Sequence, residues 1–454
     1  MTCDTIGNVS GDVSLLTHQK IVRDYMNLYT PYRGLLLYHG LGSGKTCSSI
    51  AIAEGMKSQK KIIIMTPASL KRNYLEEIKK CGDLIYKKNQ FWEWISIDEN
   101  PDIVDIAESL SNVLSLSIEY IKRRKGAWLT NITKPSNYNE LTTSDKKGLN
   151  EQLDEMIQHK YIFINYNGLR TSKFKQLTNN YETNIFENAV VIIDEAHNLI
   201  SRIVNKINKS AKFSEKRGPN ALLSGSLSLQ LYEFLLRAEN CRVVLLTGTP
   251  MINYPNELGI LFNILRGYIK TWKLTLSVET NQKMTTDTLR NIFDNEKILD
   301  YLDYSPSSKV LTITRNPFGF ENSSGKKYDG VTNKMIANKM IANKMITNTD
   351  DEFIKKITRV LTNANITVIP RGTSVTFNTA LPDTLDSFMG NFINKDTGSV
   401  ENIEKFKRRI MGLTSYFRSA QEELLPRYDK NFDYHVINVP MSDYQFKVYE
   451  DSRQ

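Results

Sequence analysis

The sequence predicts an α/β fold built on an open, mostly parallel sheet. Between residues 34 and 270, short runs rich in Ile, Val and Leu alternate with stretches whose apolar residues recur at helical spacing. These runs lack polar alternation, which is typical of strands buried on both faces of a parallel sheet. In chain order they are Leu35–Tyr38, Lys61–Met65, Tyr161–Asn165, Val190–Ile193 and Arg242–Leu246. In such a sheet the loops at the carboxyl ends of the strands form the functional site.

Helices are predicted between these strands. Thr46–Lys57 follows a glycine-rich loop, Ser69–Lys80 carries apolar residues on one face, and Asn256–Gly267 ends at a glycine. Residues 84–158 interrupt the alternation with three of the four tryptophans and the basic run Lys122–Lys125. We interpret 1–270 as one α/β lobe and the segment at about 84–158 as an insertion within it.

Residues 271–400 are predicted to form a small α+β unit, inserted or appended. The expected strands and helices follow an order compatible with a βαββαβ layer: Trp272–Val278, Asp287–Leu299, Lys309–Arg315, Asp350–Leu361 and Ser374–Phe377. A low-complexity loop is expected at about 321–349, where residues 333–347 repeat NKMIA, NKMIA, NKMIT. That five-residue period fits no helix, so we interpret it as an expanded surface loop, with a lysine-bearing arm that touches nucleic acid as the alternative.

The remaining residues, 401–454, are predicted to start with a basic helix, Lys405–Ile410. An extended stretch follows at His435–Pro440, and the last residues resemble the beginning of another helix. The basic runs at Lys122–Lys125 and Lys405–Arg409 have two interpretations, solvated surface charge or a nucleic-acid track.

Composition excludes several classes of protein. The 454 residues are 40% hydrophobic and 24% charged, which is a globular mixture and not a disordered or fibrous one. A net charge of +9 suits a partner rich in phosphate. The cysteines Cys3, Cys47, Cys81 and Cys241 are scattered, so we expect reduced thiols, no structural zinc and a cytoplasmic location. Apolar runs of four or five residues are too short for a membrane span, so a soluble protein without a membrane partner is expected.

The strongest motif is the glycine-rich segment His39–Thr46, which follows a predicted strand and opens a helix. Its glycines, Gly40, Gly42 and Gly44, allow backbone N–H groups, including that of Ser43, to surround phosphate oxygens at a helix N-terminus. Lys45 would neutralise the β- and γ-phosphates, and the Thr46 hydroxyl would bind Mg²⁺. The segment departs from the usual phosphate-loop pattern because His39 occupies the first glycine position. We therefore expect ATP and Mg²⁺ to bind here.

Two further polar motifs follow predicted strands. After Val190–Ile193, Asp194 would hold Mg²⁺ and Glu195 would orient and deprotonate the attacking water. The alternative is that these acids simply favour the N-terminus of the next helix. After Arg242–Leu246, Thr247 and Thr249 could hydrogen-bond the acidic motif and sense the γ-phosphate, or form an ordinary turn.

In this order, the three motifs resemble those of the first RecA-like lobe of superfamily 2 helicases and translocases, above all the Snf2-like group. The second motif has the DEAH form, Asp194 to His197, and the resemblance implies that His197, Thr247 and Thr249 couple ATP hydrolysis to movement. It also implies that Gln19 reads adenine. Segments Thr66–Leu70 and Ile164–Tyr166 resemble the motifs that contact the nucleic-acid backbone, so Ser69, Arg72 and Asn165 are the expected contacts.

The segments Thr314–Phe320 and Arg408–Tyr416 are most similar to those of helicase-like ATPases of large cytoplasmic DNA viruses, a group that includes poxvirus nucleoside triphosphatase I and the early-transcription ATPase. The resemblance implies an ATP-dependent helicase or translocase linked to viral transcription or genome handling. Its implied partners are nucleic acid, more DNA than RNA, and viral RNA polymerase. The implied location is the viral factory or the virion.

The arginine-rich motif of the second lobe does not occur between residues 270 and 454. We therefore expect this chain to be the N-terminal half of a motor, truncated or naturally split, which requires a second RecA-like lobe for full hydrolysis. Two alternatives remain: a nucleotide-gated scaffold that is not a motor, and the motor subunit of a restriction or remodelling complex.

Overall fold

The computed structural model describes most of the chain, and the repeat at 333–347 lies outside the described residues. The described ranges are 15–40, 42–97, 103–209, 225–278, 284–293, 296–317, 350–394, 396–417, 431–432 and 435–453. Contacts divide the chain into two compact units, Met1–Phe417 and Arg418–Gln454. No helix of the described ranges combines the length and the apolar character needed to cross a membrane.

Strands of the first unit form three sheets. In chain order they are β1 Gly34–His39, β2 Lys61–Thr66, β3 Phe91–Ser96, β4 Gly126–Asn131, β5 Tyr161–Asn165, β6 Ala189–Ile193, β7 Arg242–Leu246, β8 Ile269–Val278, β9 Leu299–Ser305, β10 Val310–Arg315, β11 Ile366–Asn378 and β12 Thr414–Phe417. The largest sheet has the order β12-β1-β7-β6-β2-β5, and all its pairs are parallel. The predicted α/β fold and its five central strands are confirmed.

Helices cover both faces of this sheet and one face of a second sheet. They are α1 Thr17–Tyr25, α2 Lys45–Glu54, α3 Lys71–Cys81, α4 Ile103–Leu114, α5 Ile118–Arg124, α6 Thr143–Lys160, α7 Thr171–Leu177, α8 Ala196–Asn208, α9 Leu227–Arg237, α10 Asn256–Arg266, α11 Thr286–Phe293, α12 Asp350–Asn363, α13 Leu385–Phe392 and α14 Ile403–Ile410, with α15 Asp443–Arg453 in the second unit.

Both faces of the parallel sheet are buried, which explains why its strands are apolar without alternation. Successive residues of β6 enter different cores: Val191 and Ile193 pack with α8, α9 and α10, whereas Val190 and Ile192 pack with α1, α2, α3 and α6. The ribbon of β3 and β4, with α4 and α5, extends the second core. The region predicted as an insertion therefore buries apolar residues against this face of the lobe.

A four-stranded antiparallel sheet follows, in the order β11-β8-β10-β9, with α11 and α12 packed on one face. The elements occur in the βαββαβ order with which the five predicted elements were compatible, and the added strand is β9, which was not predicted. One predicted boundary is wrong, because the expected helix Asp287–Leu299 ends at Phe293 and Leu299 begins β9. In β9 the residues Leu302 and Tyr304 face the core at a period of two, which identifies a strand.

Strand β12 returns to the parallel sheet from far along the chain. It pairs with β1 in parallel, from Leu36 beside Thr414 to His39 beside Phe417. The carboxyl end of β12 therefore lies at the same sheet edge as the carboxyl end of β1, beside the phosphate loop.

The cysteines do not all remain reduced and separate as expected. Cys47 on α2 and Cys81 at the end of α3 form a disulfide, with their Cα atoms 5.4 Å apart. Cys241 is a buried free thiol. The expectation is wrong for the first pair because packing of α2 against α3 joins positions that lie 34 residues apart in the sequence.

Candidate functional site

The three predicted motifs meet at one edge of the parallel sheet. The phosphate loop follows β1, the acid pair follows β6, and the Thr247–Thr249 turn follows β7, which lies between the other two strands. Because the strands are parallel, their carboxyl ends share this edge. Lys45 lies near enough to Asp194 for its positive charge to act against the rise in the pKa of that carboxyl. The lysine and the acid pair therefore line one site.

The phosphate loop has the backbone that glycine permits. Gly42 and Gly44 have φ angles of 71° and 73°, in the left-handed region, and α2 begins at the next residue, Lys45. The Lys45 amine donates to the carbonyl oxygens of His39 at 3.0 Å and Gly40 at 3.2 Å. Burial lowers the pKa of Lys45, while the charges of Glu195 and Asp194 oppose that change. The loop thus presents a partly buried cation at a helix N-terminus.

Two side chains of helix α1 contact the backbone carbonyl groups of this loop. His18 Nε2 lies 2.9 Å from the Ser43 carbonyl oxygen, and Gln19 Nε2 donates to the Gly44 carbonyl oxygen at 3.2 Å. Gln19 is buried, and its Oε1 accepts from the Leu16 N–H at 2.8 Å. The φ angle of Gly44, 73°, favours glycine at this position, and a Cβ atom there would also lie 2.4 Å from Gln19 Nε2. Gln19 thus shapes the loop, and its role in reading adenine stays a prediction.

The acid pair sits on a constrained turn between β6 and α8. Glu195 has φ 47° and ψ 50°, a left-handed conformation that is uncommon for a residue with a side chain. The Tyr166 hydroxyl donates to the carbonyl oxygens of Asp194 and Glu195, at 3.0 Å each. Such strained residues cluster at functional sites, where the surrounding structure holds them in place. Tyr166 supplies that restraint here.

Burial is the main cause that raises the pKa of Asp194, to about 6, and the adjacent charge of Glu195 adds to it. The turn therefore places a buried carboxyl next to a second acid, and Lys45 is a cation that acts on it. The Asp194 carboxylate and the Thr46 hydroxyl offer hard oxygen ligands, which suit Mg²⁺. This donor set fits a magnesium ion.

A hydrogen bond joins the acidic motif to the turn after β7. His197 Nδ1 lies 2.9 Å from Thr247 Oγ1, and it is 3.4 Å from Glu195 Oε2. Thr247 is fully buried, and its Oγ1 also accepts from the Thr249 N–H at 3.0 Å. The contact that the sequence suggested between these motifs is present, and it passes through His197 and Thr247.

The expected nucleic-acid contacts differ in exposure. Ser69 and Arg72 are exposed just beyond the carboxyl end of β2. Asn165, at the end of β5, has a buried Oδ1 without a hydrogen-bond partner in the described ranges. The loop before α3 is tied to the turn after β5, because Asn167 Oδ1 accepts from the Ala68 N–H at 2.9 Å. Ser69 and Arg72 are therefore available to a partner, and Asn165 is less so.

The sequence did not predict that strand β12 borders the site. His39 is fully buried, and its Nε2 lies 2.9 Å from Ser415 Oγ on β12. The Gly40 N–H donates to the Phe417 carbonyl oxygen at 3.0 Å, and the Phe417 ring stacks on His18 with centroids 4.0 Å apart. A histidine that ends an apolar strand signals that a buried polar partner is needed. Nothing in the sequence identifies that partner as Ser415.

These features define the class: a RecA-like phosphate-loop lobe in which a DEAH-type acid pair faces the loop. Residues 14–218 match the family described as the type III restriction enzyme, res subunit. That match covers less than half of the chain and includes the phosphate loop and the acid pair, and the chain is similar in sequence to helicases of viruses.

Relatives occur in several large DNA viruses. The chain is 29% identical over 249 residues to R563, a candidate ATP-dependent RNA helicase of Acanthamoeba polyphaga mimivirus, covering 54% of this chain and 32% of the relative. It is 24% identical over 266 residues to a termination factor NPH-I homolog of African swine fever virus, covering 57% and 27%. The chain thus spans about a third or less of these relatives.

Among solved structures, the SWI2/SNF2 ATPase core of Sulfolobus solfataricus in complex with dsDNA is a match. It has a TM-score of 0.27 and 15% sequence identity, and it covers 56% of this chain and 36% of that chain.

Proposed function

We propose that this chain binds MgATP and, together with a second RecA-like lobe, hydrolyses it to drive movement along nucleic acid. The observation that carries the proposal is the meeting of Lys45 with Asp194 and Glu195 at one sheet edge, beside a helix N-terminus. The names of the viral relatives, which include helicases and a termination factor homolog, support the same activity.

Each residue of the site has a proposed role. Backbone N–H groups of Gly42–Gly44 and the Lys45 amine bind the β- and γ-phosphates, and Gly40 begins the loop while its own N–H donates to Phe417. Thr46 and Asp194 hold Mg²⁺, which when bound neutralises phosphate charge and polarises the γ-phosphoryl group. Glu195, whose side chain is 40% exposed, orients the attacking water and accepts its proton.

The bond between His197 and Thr247 provides a route from the acid pair to β7. A shift of Glu195 during hydrolysis would displace His197, which lies 3.4 Å away, and His197 would in turn displace Thr247. In this class an arginine from the facing lobe accelerates hydrolysis by about 10³–10⁵. We therefore expect this chain alone to bind ATP and to hydrolyse it slowly.

The proposed nucleic-acid contacts are to phosphates, through Ser69, Arg72 and neighbouring basic residues. Such binding is nearly independent of sequence and weakens as salt rises. We propose DNA as the preferred polymer over RNA, a role in viral transcription with RNA polymerase as a partner, and a place of action in the cytoplasmic viral factory or the virion.

The test compares three variants with the unchanged chain, in fluorescent-nucleotide titrations and in phosphate-release assays with added second lobe and DNA. Lys45→Ala should abolish nucleotide binding, because it removes the phosphate-loop cation. Glu195→Gln should keep binding but reduce hydrolysis by about 10²–10⁴. The control Glu187→Gln changes an exposed acid just before β6 and should have no effect.

Two results would contradict the proposal. Hydrolysis that is unchanged in Glu195→Gln would remove Glu195 as the base. ATP binding by the unchanged chain without DNA-stimulated hydrolysis, even with a second lobe, would instead favour a nucleotide-gated scaffold.

A further inference from the structure

A cluster outside the proposed nucleotide site combines two sulfurs and a carboxylate. Cys47 lies on α2, directly after Thr46, and Cys81 is the last residue of α3. Glu77 precedes Cys81 by one helical turn, so both side chains lie on the same face of α3. Glu77 Oε2 lies 3.7 Å from Cys47 Sγ and 3.9 Å from Cys81 Sγ.

The two oxygens of Glu77 have different surroundings. Oε1 accepts from the exposed Lys80 amine at 2.8 Å, whereas Oε2 faces both sulfurs. The carboxylate is therefore oriented toward the cysteine pair by a partner on its opposite side. A carboxylate oxygen and two reduced sulfurs that lie around one point can share a single cation.

The distances from Glu77 to the two sulfurs suit a tetrahedral metal ion once the S–S bond is reduced and the sulfurs separate. One ligand atom from each residue lies within 4.8 Å of the other two. A zinc ion with Zn–S bonds of about 2.3 Å and a Zn–O bond of about 2.1 Å holds its sulfur and oxygen ligands about 3.6 Å apart. The distances from Glu77 Oε2 to both sulfurs are close to that value. Glu77 is thus already placed as a ligand.

We propose that Cys47, Cys81 and Glu77 bind one thiophilic divalent cation such as Zn²⁺ when the cysteines are reduced, with water as the fourth ligand. The disulfide is the metal-free, oxidised form of the same site. A phosphine and one water molecule convert the S–S bond into two thiols and leave the phosphine oxide, or two molecules of a small thiol give the same two thiols and are themselves joined as a disulfide. Each thiol then releases its proton to solvent as its sulfur binds the ion.

The ion would join two helices that carry proposed functional residues. Helix α2 begins with Lys45 and Thr46, and α3 carries Arg72 in its first turn. A metal bridge between Cys47 and Cys81 would fix one helix against the other, as the disulfide does in the oxidised form. The site would thus constrain the phosphate-loop helix in either state.

The experiment uses the full chain in a background that lacks Cys3. Protein reduced with a phosphine and protein left oxidised are each titrated with Zn²⁺, and bound metal is counted by mass spectrometry after gel filtration. Co²⁺ is used in parallel, because thiolate ligands give it a charge-transfer absorption band. We expect one ion per reduced chain, none in the oxidised chain, and the cobalt band only after reduction.

Variants identify the ligands. Glu77→Gln should weaken Zn²⁺ binding at least tenfold, and Cys81→Ser should abolish the cobalt–thiolate band. Glu76→Gln is the matched control, because Glu76 is adjacent but pairs with Lys79 and Lys88 instead of the cysteines. Cys241→Ser, at the buried free thiol, is the cysteine control. Both controls should bind zinc as the parent chain does.

Two outcomes would overturn the proposal. The first is a reduced chain, shown by intact mass to have regained two hydrogens, that binds no Zn²⁺ and gives no cobalt band. The second is zinc binding that persists unchanged in both Glu77→Gln and Cys81→Ser, which would place the ion elsewhere. The cobalt spectrum of the parent chain keeps the test decisive if a variant fails to fold.

Discussion

Replacing His39 with alanine is predicted to make the folded chain less sensitive to acid. The imidazole is fully buried; its Nε2 pairs with Ser415, and its Nδ1 has no hydrogen-bond partner among the described residues. Burial is the main cause that lowers its pKa from 6.5 to about 4, and the charges of His18 and Lys45 contribute. The ring therefore stays neutral in the folded chain at pH values where it is protonated in the unfolded chain.

The sign and size of the effect follow from that difference. Between pH 6.5 and about 4 the unfolded chain binds more protons at His39 than the folded chain does, so stability falls as pH falls. At about 1.36 kcal/mol per pH unit, the loss at pH 5 is about 2 kcal/mol. Asp194 acts in the opposite direction, because its pKa is raised to about 6 and the folded chain favours its protonated form. Its contribution is common to both proteins and cancels in their difference.

The assay is urea unfolding of the full chain at pH 7.5 and pH 5. On moving to pH 5, the unchanged chain should lose about 2 kcal/mol more stability than His39→Ala does. His159→Ala is the control, because His159 is exposed near the end of α6, and it should behave like the unchanged chain. Equal acid sensitivity in the unchanged chain and in His39→Ala would refute the reasoning.

Three further substitutions test the packing of the lobe and the restraint on the acid-pair turn. Asn263→Ala should lower the free energy of unfolding in urea by about 3–5 kcal/mol, because this buried amide makes three of its four hydrogen bonds to residues 381–383. A decrease below about 1 kcal/mol would contradict that role. Gly34→Ala should lower the melting temperature, since its Cβ would lie 2.3 Å from a backbone oxygen of α10; Gly390→Ala, with open space around it, should not. Tyr166→Phe removes the hydroxyl that donates to the two carbonyl oxygens of the acid pair. The kcat for ATP should then fall about tenfold, which is a loss of about 1.4 kcal/mol, while nucleotide affinity is kept. An unchanged kcat would show that the turn needs no restraint.

Features that depend on a short stretch of sequence could be predicted for this protein. Five strands of the parallel sheet were identified because strands buried on both faces are continuously apolar, and that signal lies within each segment. The phosphate loop was identified because its glycines are required by backbone geometry, as the positive φ angles of Gly42 and Gly44 show. The meeting of this loop with the acid pair followed from one rule, that carboxyl ends of parallel strands share an edge.

Strand β9 shows where local patterns fail. Its residues alternate between core and solvent, but the preceding helix α11 carries apolar residues at a different period, and a boundary between two periods is hard to place from either alone.

Contacts between distant segments were decided only by tertiary structure. The pairing of β12 with β1 places Ser415 beside His39, and the packing of α2 on α3 places Cys47 beside Cys81. Tyr166 reaches the acid-pair turn for the same kind of reason, since β5 and β6 both flank β2. Local sequence encodes which face of an element is apolar, but it does not encode which distant element covers that face. Such partners are selected by the packing of the whole core, and that selection placed Ser415, Phe417 and the cysteine pair around the phosphate loop and its helix.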